Sequence, residues 1–175
     1  MYLKIETDRL SIRALTIIDA GFMMQLMNTA TWIKNIGDRN IKDKTAASNY
    51  IANYIINSYN KNGFGLYLVT QKKDNHSVGI AGLVKREGLT IPDLGFAFLP
   101  QYEGKGYATE AGKAVIKYAA ESLQMDELAG ITKPDNLASI RVLEKVGMQF
   151  KHPIQLPQDS NIFSLYIMAL HKEVL

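Results

Sequence analysis

The most informative run of this chain is Gln101-Tyr102-Glu103-Gly104-Lys105-Gly106-Tyr107-Ala108-Thr109-Glu110. It follows a strand-like run that Pro100 closes, and it leads directly into a helix-like run over residues 108–123. Two glycines between a strand and a helix leave backbone N–H groups uncovered at the positive end of the helix dipole. Such groups suit a bound phosphate, so the run predicts an anion-binding loop for a phosphorylated cofactor.

Two other phosphate-binding motifs contain similar glycines, and this chain departs from both. A Walker-type loop ends in Gly-Lys-Ser/Thr, but here Lys105 is followed by Gly106 and Tyr107. A dinucleotide fingerprint needs a third glycine where this chain has Thr109, although Asp126 lies at the spacing of its ribose-binding acid. Both nucleotide-binding patterns are therefore disfavoured, and a plain structural turn remains the alternative.

Length and charge bound the class of protein. The 175 residues predict a single domain over residues 1–175, with enough chain to bury a sizeable core. The net charge of +3 is too small to indicate a nucleic-acid partner, and no basic cluster is interleaved with aromatic residues. A mild positive charge does help a cleft to attract an anionic cofactor.

The residue types that are missing exclude several kinds of site. Without cysteine the chain has no disulfide, no cysteine nucleophile and no thiolate metal site. His76, His152 and His171 are scattered without ligand spacing, so we expect no metal. No apolar run is long enough to span a bilayer, and the N-terminus lacks the apolar core of a signal peptide. We therefore expect a cytoplasmic protein with no membrane partner.

The hydrophobic pattern along the chain changes between a period of two and a helical period. Strands are predicted over residues 10–14, 65–71, 78–86, 92–99, 128–132 and 162–170, with a short strand around Phe150. Helices are predicted over residues 18–28, 44–60, 108–123 and 138–146, and residues 32–43 are expected to be irregular. The three middle strands are joined by short turns, so they should be antiparallel. This order predicts one α/β domain with a mixed sheet.

Three segments carry a family resemblance. They are residues 7–13 (Thr-Asp-Arg-Leu-Ser-Ile-Arg), residues 93–111 with the glycine-rich run, and residues 136–148 (Asn-Leu-Ala-Ser-Ile-Arg-Val-Leu-Glu-Lys-Val-Gly-Met). In order and spacing they resemble the GNAT N-acetyltransferases, most closely the ribosomal-protein-alanine N-acetyltransferase branch. The resemblance implies a GNAT-like acyl-CoA N-acyltransferase fold, with a mixed, mostly antiparallel α/β sheet of about seven strands flanked by about four helices.

The resemblance also implies acetyl-CoA as the cofactor. The family's sheet is open between residues 96–99 and 128–132, where unpaired strand edges bind the pantetheine amides. The pyrophosphate then lies on N–H groups of residues 101–108, where Gly104 and Gly106 allow a close approach. A solvated Lys105 without a cofactor contact remains an alternative. The implied coenzyme A-binding residues are Phe96, Ala97, Phe98, Leu99, Gln101, Gly104, Lys105, Gly106, Tyr107, Ala108, Thr109, Asn136 and Ser139.

The implied reaction is the direct attack of a neutral primary amine on the acetyl thioester. A base or a water path must remove a proton from the amine, and in this family a backbone N–H near residues 96–98 serves the oxyanion. Ser139 matches the family serine near the cofactor sulfur, where it would donate to the leaving thiolate; its alternative role is to cap the backbone. Many GNAT proteins have a tyrosine acid where this chain has Leu143, which puts more weight on Ser139.

Two further residues follow from the resemblance. Asp93 stands where this branch usually has Glu, and a carboxylate there can draw a proton from the amine, directly or through water. Asp is one methylene shorter, and an ion-pair partner or a polar start of the strand is the alternative. Asn136 is predicted to cap the helix that follows it, in addition to the implied contact with the cofactor or a bound water.

Substrate choice is expected to come from residues 32–41 and 153–160. Trp32, Phe64 and Tyr102 are candidate pocket walls, although each suits a plain core position as well. The acceptor is expected to be a small-molecule amine or a protein or peptide N-terminus; a free amino acid, a polyamine and an aminoglycoside all stay open. We expect a monomer or homodimer. The rival functions are a non-catalytic acyl-CoA-binding module, for which Asp93 in the place of Glu is the hint, and a nucleotide-binding domain.

Overall fold

A computed structural model describes residues 4–157 and 159–170, in which one eight-stranded sheet forms. The strands are β1 Lys4–Glu6, β2 Leu10–Ala14, β3 Leu66–Gln71, β4 Ser77–Val84, β5 Asp93–Phe98, β6 Glu127–Thr132, β7 Gln149–Gln155 and β8 Ile162–Ala169. Their order across the sheet is β1-β2-β3-β4-β5-β6-β8-β7, with β5 and β6 parallel and all other neighbours antiparallel. The mixed, mostly antiparallel sheet is confirmed. β1 is the one strand of the eight that the sequence does not predict, because its three residues are too few to show an alternating pattern.

The helices flank this sheet. They are α1 Ala20–Met27, α2 Ala30–Asn35, α3 Lys44–Tyr50, α4 Asn57–Asn62, α5 Tyr107–Glu121 and α6 Leu137–Lys145, with a π-helical segment Ile51–Ile56 between α3 and α4. Thr29 begins α2 by accepting a hydrogen bond from Trp32 N at 3.2 Å. The irregular segment predicted over 32–43 is therefore wrong at its start, because a six-residue helix is too short to show a periodic face. The four predicted helices are confirmed.

The two faces of the sheet carry separate helical layers, and the alternation of side chains along β5 distinguishes them. Leu94 and Phe98 pack in a cluster that contains Val115 of α5. Leu99 packs in a second cluster, which contains Met23 of α1 and residues of α2 and α3. We refer to these as the α5 face and the α1 face. Each fully buried Leu, Met or Phe side chain stabilises the fold by roughly 1.5–3 kcal/mol.

Strands β5 and β6 meet at one position and then separate. Asp93 pairs in register with Ala129, and Ala129 N donates to the Pro92 carbonyl oxygen at 2.9 Å. No other β5–β6 register pair occurs within residues 4–157 and 159–170, so the strands diverge toward their carboxyl ends. The sheet is therefore open between Phe98 and Thr132, where the sequence predicts a gap.

Strand β7 forms one outer edge of the sheet, and nearly all of its side chains are exposed. Its register with β8 shifts between Phe150 and His152. Pro153, which has no N–H, lies in the same strand. Regular pairing is therefore interrupted over the middle of this edge.

A polar network joins the β1–β2 turn to the start of α5. The Thr7 hydroxyl donates to Glu110 Oε1 at 2.6 Å, and the Arg9 guanidinium lies 2.6 Å from Glu110 Oε2. Arg9 N also donates to Oε1 at 3.0 Å. Partial burial alone would raise the pKa of Glu110, but the hydrogen bonds from Thr7 and Arg9 hold that pKa below its usual value. The ionised carboxylate is thus the form that the fold selects.

The first prediction concerns Gly82 in β4. An added Cβ would lie directly against the Gly65 carbonyl oxygen and 2.8 Å from the Leu66 Cα, both main-chain atoms of the neighbouring chain segment. Gly82→Ala is therefore expected to lower the free energy of unfolding by about 2–3 kcal/mol in urea denaturation. Gly21→Ala is the control: its Cβ would meet Lys44 Cε at an ordinary 3.5 Å, and α1 should gain up to ~1 kcal/mol. Equal stability of the two variants would contradict the packing argument.

The second prediction concerns the pH dependence of stability through Glu110. Because its pKa in the folded state lies below the unfolded value of 4.5, its contribution is present above pH 4.5 and is lost as the pH falls through the folded pKa. Glu110→Gln should lower the free energy of unfolding by about 1–2 kcal/mol near neutral pH, and the difference from wild type should vanish in acid. Urea denaturation from neutral pH to pH 3 measures this. Glu121→Gln on an exposed pair with Lys117 should change little, and a pH-independent loss in Glu110→Gln would refute the assignment.

Candidate active site

Main-chain groups of β5 face the open gap at alternate residues. Leu99 N donates to the Val78 carbonyl oxygen, on the β4 side, at 2.9 Å, whereas the Pro92 carbonyl faces β6. Because hydrogen-bonding direction alternates along a strand, Phe96 and Phe98 direct their N–H and C=O groups toward β6. Both residues lie beyond the single β5–β6 pair, so these groups can bind a ligand that lies in the gap.

The glycine-rich loop leads from the end of β5 to α5. Gly104 and Gly106 adopt left-handed φ angles of 71° and 81°, and a Cβ added at Gly104 would meet no atom within 4 Å. Gly106 is the N-cap of α5 and offers no side chain to the helix start, whose first regular bond is Glu110 N to Gly106 O at 3.0 Å. The N–H groups of the first turn therefore stay without intrahelical partners. We call residues 101–109 the cradle; they comprise this loop and first turn.

Arg9 holds the cradle in shape through contacts with two of its residues, Lys105 and Tyr107. Its Nη1 donates to the Lys105 carbonyl oxygen at 3.0 Å, and its guanidinium carbon lies 4.6 Å from the Tyr107 ring centroid. A Cβ at Gly106 would lie 3.4 Å from Arg9 Nη2, so the loop packs closely on this side chain. Gln71 Nε2 donates to the Tyr107 hydroxyl from the end of β3. This role of Arg9 is not predicted by local sequence patterns, because its partners lie about a hundred residues away.

Side chains of the cradle add positive charge and an aromatic surface. Lys105 Nζ lies 5.3 Å from the Tyr102 ring centroid, in a cation–π contact. Gln101 and Tyr102, with Phe22 and His76, line a cavity of about 410 Å³ beside the loop. The side chain of Lys105 thus lies at the cradle. Tyr102 lies both in the cradle and on a cavity that α1 also lines, so its role as a pocket wall stays a prediction.

The start of α6 brings Asn136 and Ser139 together. Asn136 caps the helix as predicted, because its Oδ1 accepts from Ser139 N at 3.2 Å. Its Nδ2 also donates to the Ser139 hydroxyl oxygen at 3.1 Å, which leaves the hydroxyl hydrogen free to be donated. Leu143, one turn later on the same side of the helix, is buried against β6 at Gly130. Ser139 therefore lies on the side of α6 that faces the opened strand.

Asp93 lies at the fork between β5 and β6 and is bound by an arginine. Arg86 Nε and Nη2 donate to its two carboxylate oxygens, each at 3.1 Å, and the Asp93 side chain is 2% exposed. Burial raises the pKa of Asp93, and the Arg86 guanidinium limits that rise. Asp93 has odd numbering like Leu99, so its side chain points to the α1 face. Asp93 is therefore an ion-pair partner, which is one of the alternatives that the sequence indicates. Its role as the base stays a prediction.

Two of the three candidate pocket residues, Trp32 and Phe64, lie in different core clusters, and Tyr102 packs against both clusters. Trp32 is buried on the α1 face, and its Nε1 has no hydrogen-bond partner among the residues that the structure describes. Its helix is tied to the β6–α6 turn, since Lys133 Nζ donates to the Lys34 carbonyl oxygen at 2.7 Å. Phe64 packs in the core cluster of the α5 face, away from Trp32. A buried indole N–H without a partner keeps Trp32 as the strongest of the three candidates.

The described residues contain neither a metal-binding cluster nor a membrane-spanning helix. Across residues 4–157 and 159–170, no group of three or more His, Asp and Glu side chains could hold a metal ion. His171 lies outside the described residues, as does Gln158 in the segment 153–160. None of the described helices is long and apolar enough to cross a membrane.

Comparisons with known proteins agree with this geometry. The profile of the acetyltransferase (GNAT) domain matches residues 9–149. YkkB, an uncharacterized protein of Bacillus subtilis (strain 168), is 30% identical to this chain over 160 residues, which cover 87% of this chain and 88% of YkkB. YnaD, an uncharacterized N-acetyltransferase of the same strain, is 24% identical over 173 residues, or 97% of each chain.

A solved structure extends the comparison to three dimensions. RimL, a ribosomal alpha-N-protein acetyltransferase in complex with coenzyme A, superposes with a TM-score of 0.82 over 96% of this chain and 98% of RimL. The sequence identity is 15%, so this likeness shows the fold alone. The split sheet, the glycine-rich cradle and a domain profile that spans most of the chain lead to one conclusion: this protein belongs to the GNAT acetyltransferase family.

Proposed function

We propose that the protein transfers an acetyl group from acetyl-CoA to a primary amine by direct attack, with both reactants bound at the gap between β5 and β6. The observation that carries this proposal is the continuity of the open β5 edge with the cradle. A ligand with amides in a linear arm and a pyrophosphate at one end matches both features. The fork at Asp93 then lies at the closed end of the gap.

The residues present fit coenzyme A. The free main-chain groups of Phe96 and Phe98 suit the amides of the pantetheine arm, in the manner of an added strand. The uncovered N–H groups of α5 and the open space at Gly104 suit the pyrophosphate. Lys105 adds a cation on the loop, and Arg9 holds the loop in shape. Most of the groups that would contact coenzyme A are therefore main-chain N–H and C=O groups.

When bound, acetyl-CoA supplies a thioester that a neutral amine can attack. Ser139 is assigned the donation of a hydrogen bond to the sulfur as the thiolate leaves, because Asn136 satisfies the hydroxyl oxygen and orients it. A backbone N–H of β5 at Phe96 or Phe98 donates to the thioester oxygen as negative charge develops there. Both donors are held by regular structure, so they need little rearrangement.

Asp93 is assigned the removal of the proton from the amine. Arg86 occupies one acceptor site on each carboxylate oxygen, and an ionised carboxylate has about four such sites, so acceptor capacity remains. Burial raises the pKa of this carboxyl, which makes it a better base than an exposed aspartate. Because the side chain points to the α1 face, the acceptor amine approaches from that face, opposite to α5.

The direct test of this function combines binding and turnover. Calorimetric titration should detect acetyl-CoA and coenzyme A but not NAD or ATP, and release of free thiol should follow addition of an accepted amine. Binding without acetylation of any amine in a broad panel would favour the non-catalytic acyl-CoA-binding module. Absence of acetyl-CoA binding would remove the cofactor assignment.

The third prediction tests the cradle through charge at Gly104. Aspartate and asparagine have the same shape, and both tolerate left-handed φ angles, so Gly104→Asp and Gly104→Asn differ mainly in charge. Gly104→Asp should weaken acetyl-CoA binding by about tenfold or more relative to Gly104→Asn, because its carboxylate repels the pyrophosphate. Calorimetry with acetyl-CoA measures this difference. Binding of acetyl-pantetheine, which has no phosphate, should be alike in both variants; a charge-independent effect would contradict the cradle.

The fourth prediction separates binding from chemistry at Ser139. Ser139→Ala should leave the Kd of coenzyme A near that of wild type and lower kcat roughly ten- to a hundredfold, because the hydrogen bond strengthens only as the thiolate forms. Ser139→Thr keeps the hydroxyl and should retain most of the turnover. Steady-state assay of thiol release measures both. Unchanged kcat in Ser139→Ala would remove the assigned role.

A further inference from the structure

A groove of about 510 Å³ lies on the helical layer of the α1 face, along α3 and the π-helical segment. The residues between Arg39 and Tyr54 that line it include three amides and two tyrosines: Asn40, Asn49, Asn53, Tyr50 and Tyr54. The Tyr50 and Tyr54 rings lie 5.0 Å apart and form an aromatic wall. We call this feature the 39–54 groove. It combines one cation, several amides and flat rings, and no carboxylate lines it.

The polar groups of the groove are not used by the fold. Within residues 4–157 and 159–170, the Arg39 guanidinium makes no ion pair, and the side-chain amides of Asn49 and Asn53 make no hydrogen bond to protein. Arg9, Arg13 and Arg86 each bind a carboxylate in the same part of the chain, whereas Arg39 lies beside unpaired amides in a groove. A ligand with acceptor oxygens would satisfy this set.

The carboxylates nearest in sequence are already occupied. Asp38 Oδ1 accepts from Asn40 N at 2.7 Å, which holds Asn40 at a φ angle of 55°. Asp43 Oδ1 accepts from Ala46 N at 2.8 Å and caps α3. Both carboxylates thus serve the backbone, whereas the cations of this loop, Arg39, Lys42 and Lys44, make no ion pair among the described residues. The three cations outnumber the two carboxylates of this loop, so its charge is more favourable to an anion than to a cation.

One wall of the groove packs toward the sheet, because Tyr50 packs against the same core cluster of the α1 face as Ala97 of β5. Burial raises the pKa of Tyr50, and both Arg39 and Arg86 act against that rise, so the two guanidinium groups lie within electrostatic reach of one phenol. Arg86 is the bidentate partner of Asp93, the assigned base. The groove and Asp93 also share the α1 face.

We propose that the acceptor is a small amine that carries a carboxylate, and that the 39–54 groove binds this carboxylate through Arg39 and the neighbouring amides. The inference rests on the proposed function and narrows the acceptor among its open classes. Polyamines and aminoglycosides are disfavoured, because the Arg39 cation lines the groove and no carboxylate is among its lining residues. A free amino acid or an ω-amino acid fits, since charge-assisted arginine–carboxylate bonds are strong and directional.

Matched pairs of acceptors test the inference. Glycine, β-alanine, γ-aminobutyrate and L-tyrosine are each compared with their own carboxamide, so that the reacting amine stays and the anion is removed; spermidine and kanamycin represent the polycations. At the best chain length, kcat/KM for the carboxylate should exceed that for its amide by roughly tenfold or more. Arg39→Gln should abolish this preference, Arg39→Lys should keep part of it, and Lys61→Gln, which removes an exposed cation outside the groove, should keep all of it.

A second readout does not depend on turnover. The N-acetyl derivatives of the same amino acids are titrated by calorimetry into protein saturated with coenzyme A, and we expect binding that Arg39→Gln weakens roughly tenfold while the Kd of coenzyme A stays the same. Acetylation of amines without any carboxylate preference, or a preference that survives in Arg39→Gln, would overturn this inference and leave the proposed function intact. Carboxylate binding that depends on Arg39 without acetylation of any amine would support the groove and overturn the proposed function.

Discussion

Two parallel strands that are hydrogen-bonded at one position only impose a constraint on the whole sheet. Beyond Asp93 and Ala129, neither β5 nor β6 can satisfy the other's main-chain groups, and buried backbone groups need partners. The gap is not a frayed end, because β5 keeps six register pairs with β4 and β6 keeps six with β8. Each strand is held by its neighbour on the far side, so the divergence of β5 from β6 is part of the sheet itself. A fixed opening allows a binding site made of backbone, with few side chains to specify it.

The pair formed by Arg9 and Glu110 resolves a conflict at the mouth of that opening. A carboxylate in the first turn of α5 is favourable to the helix dipole, but it would also repel an anion at the same helix end. Thr7 and Arg9 engage both oxygens of Glu110, which directs the negative charge away from the cradle. The same arginine donates to the Lys105 carbonyl oxygen. One side chain therefore both neutralises the Glu110 carboxylate and holds the glycine-rich loop in its conformation. The β1–β2 turn therefore helps to shape a loop that lies about a hundred residues later in the sequence.

Local signals in the sequence were sufficient for much of this arrangement. The glycines of the cradle, the Asn136 cap and the alternation along β5 each depend on residues within one turn or one strand, and all three agree with the structure. The contacts of Arg9 could not be predicted, because the partner lies 96 residues away and no periodic pattern joins them. Segments without periodicity were also missed: α2 has six residues, and the π-helical turn within the predicted helix 44–60 has no residue signature.

The roles of side chains were harder to predict than the course of the backbone. The same residue type can serve in the core or in a pocket, and only its burial and its contacts in the structure distinguish the two. The sequence gives Phe64 and Trp32 similar settings, as large aromatic residues outside a periodic pattern. Phe64 nevertheless packs in the cluster of the α5 face, whereas Trp32 lies on the opposite face, where no described residue accepts its indole N–H. For Asp93 the sequence indicates an ion pair as one alternative but does not identify the partner, which the structure shows to be Arg86. The 39–54 groove could not be predicted from the sequence. Only the three-dimensional structure shows that its amide side chains have no hydrogen-bond partner among the described residues.

The outer strand β7 has a consequence for how copies of this protein meet. An edge strand with free N–H and C=O groups is a template for another chain, and sheets with regular edges tend to aggregate. Here the register shift at Phe150 and the missing donor of Pro153 break the row of groups that such templating needs. Self-association by continuous strand addition is therefore opposed at this border of the sheet, which favours solubility at high concentration.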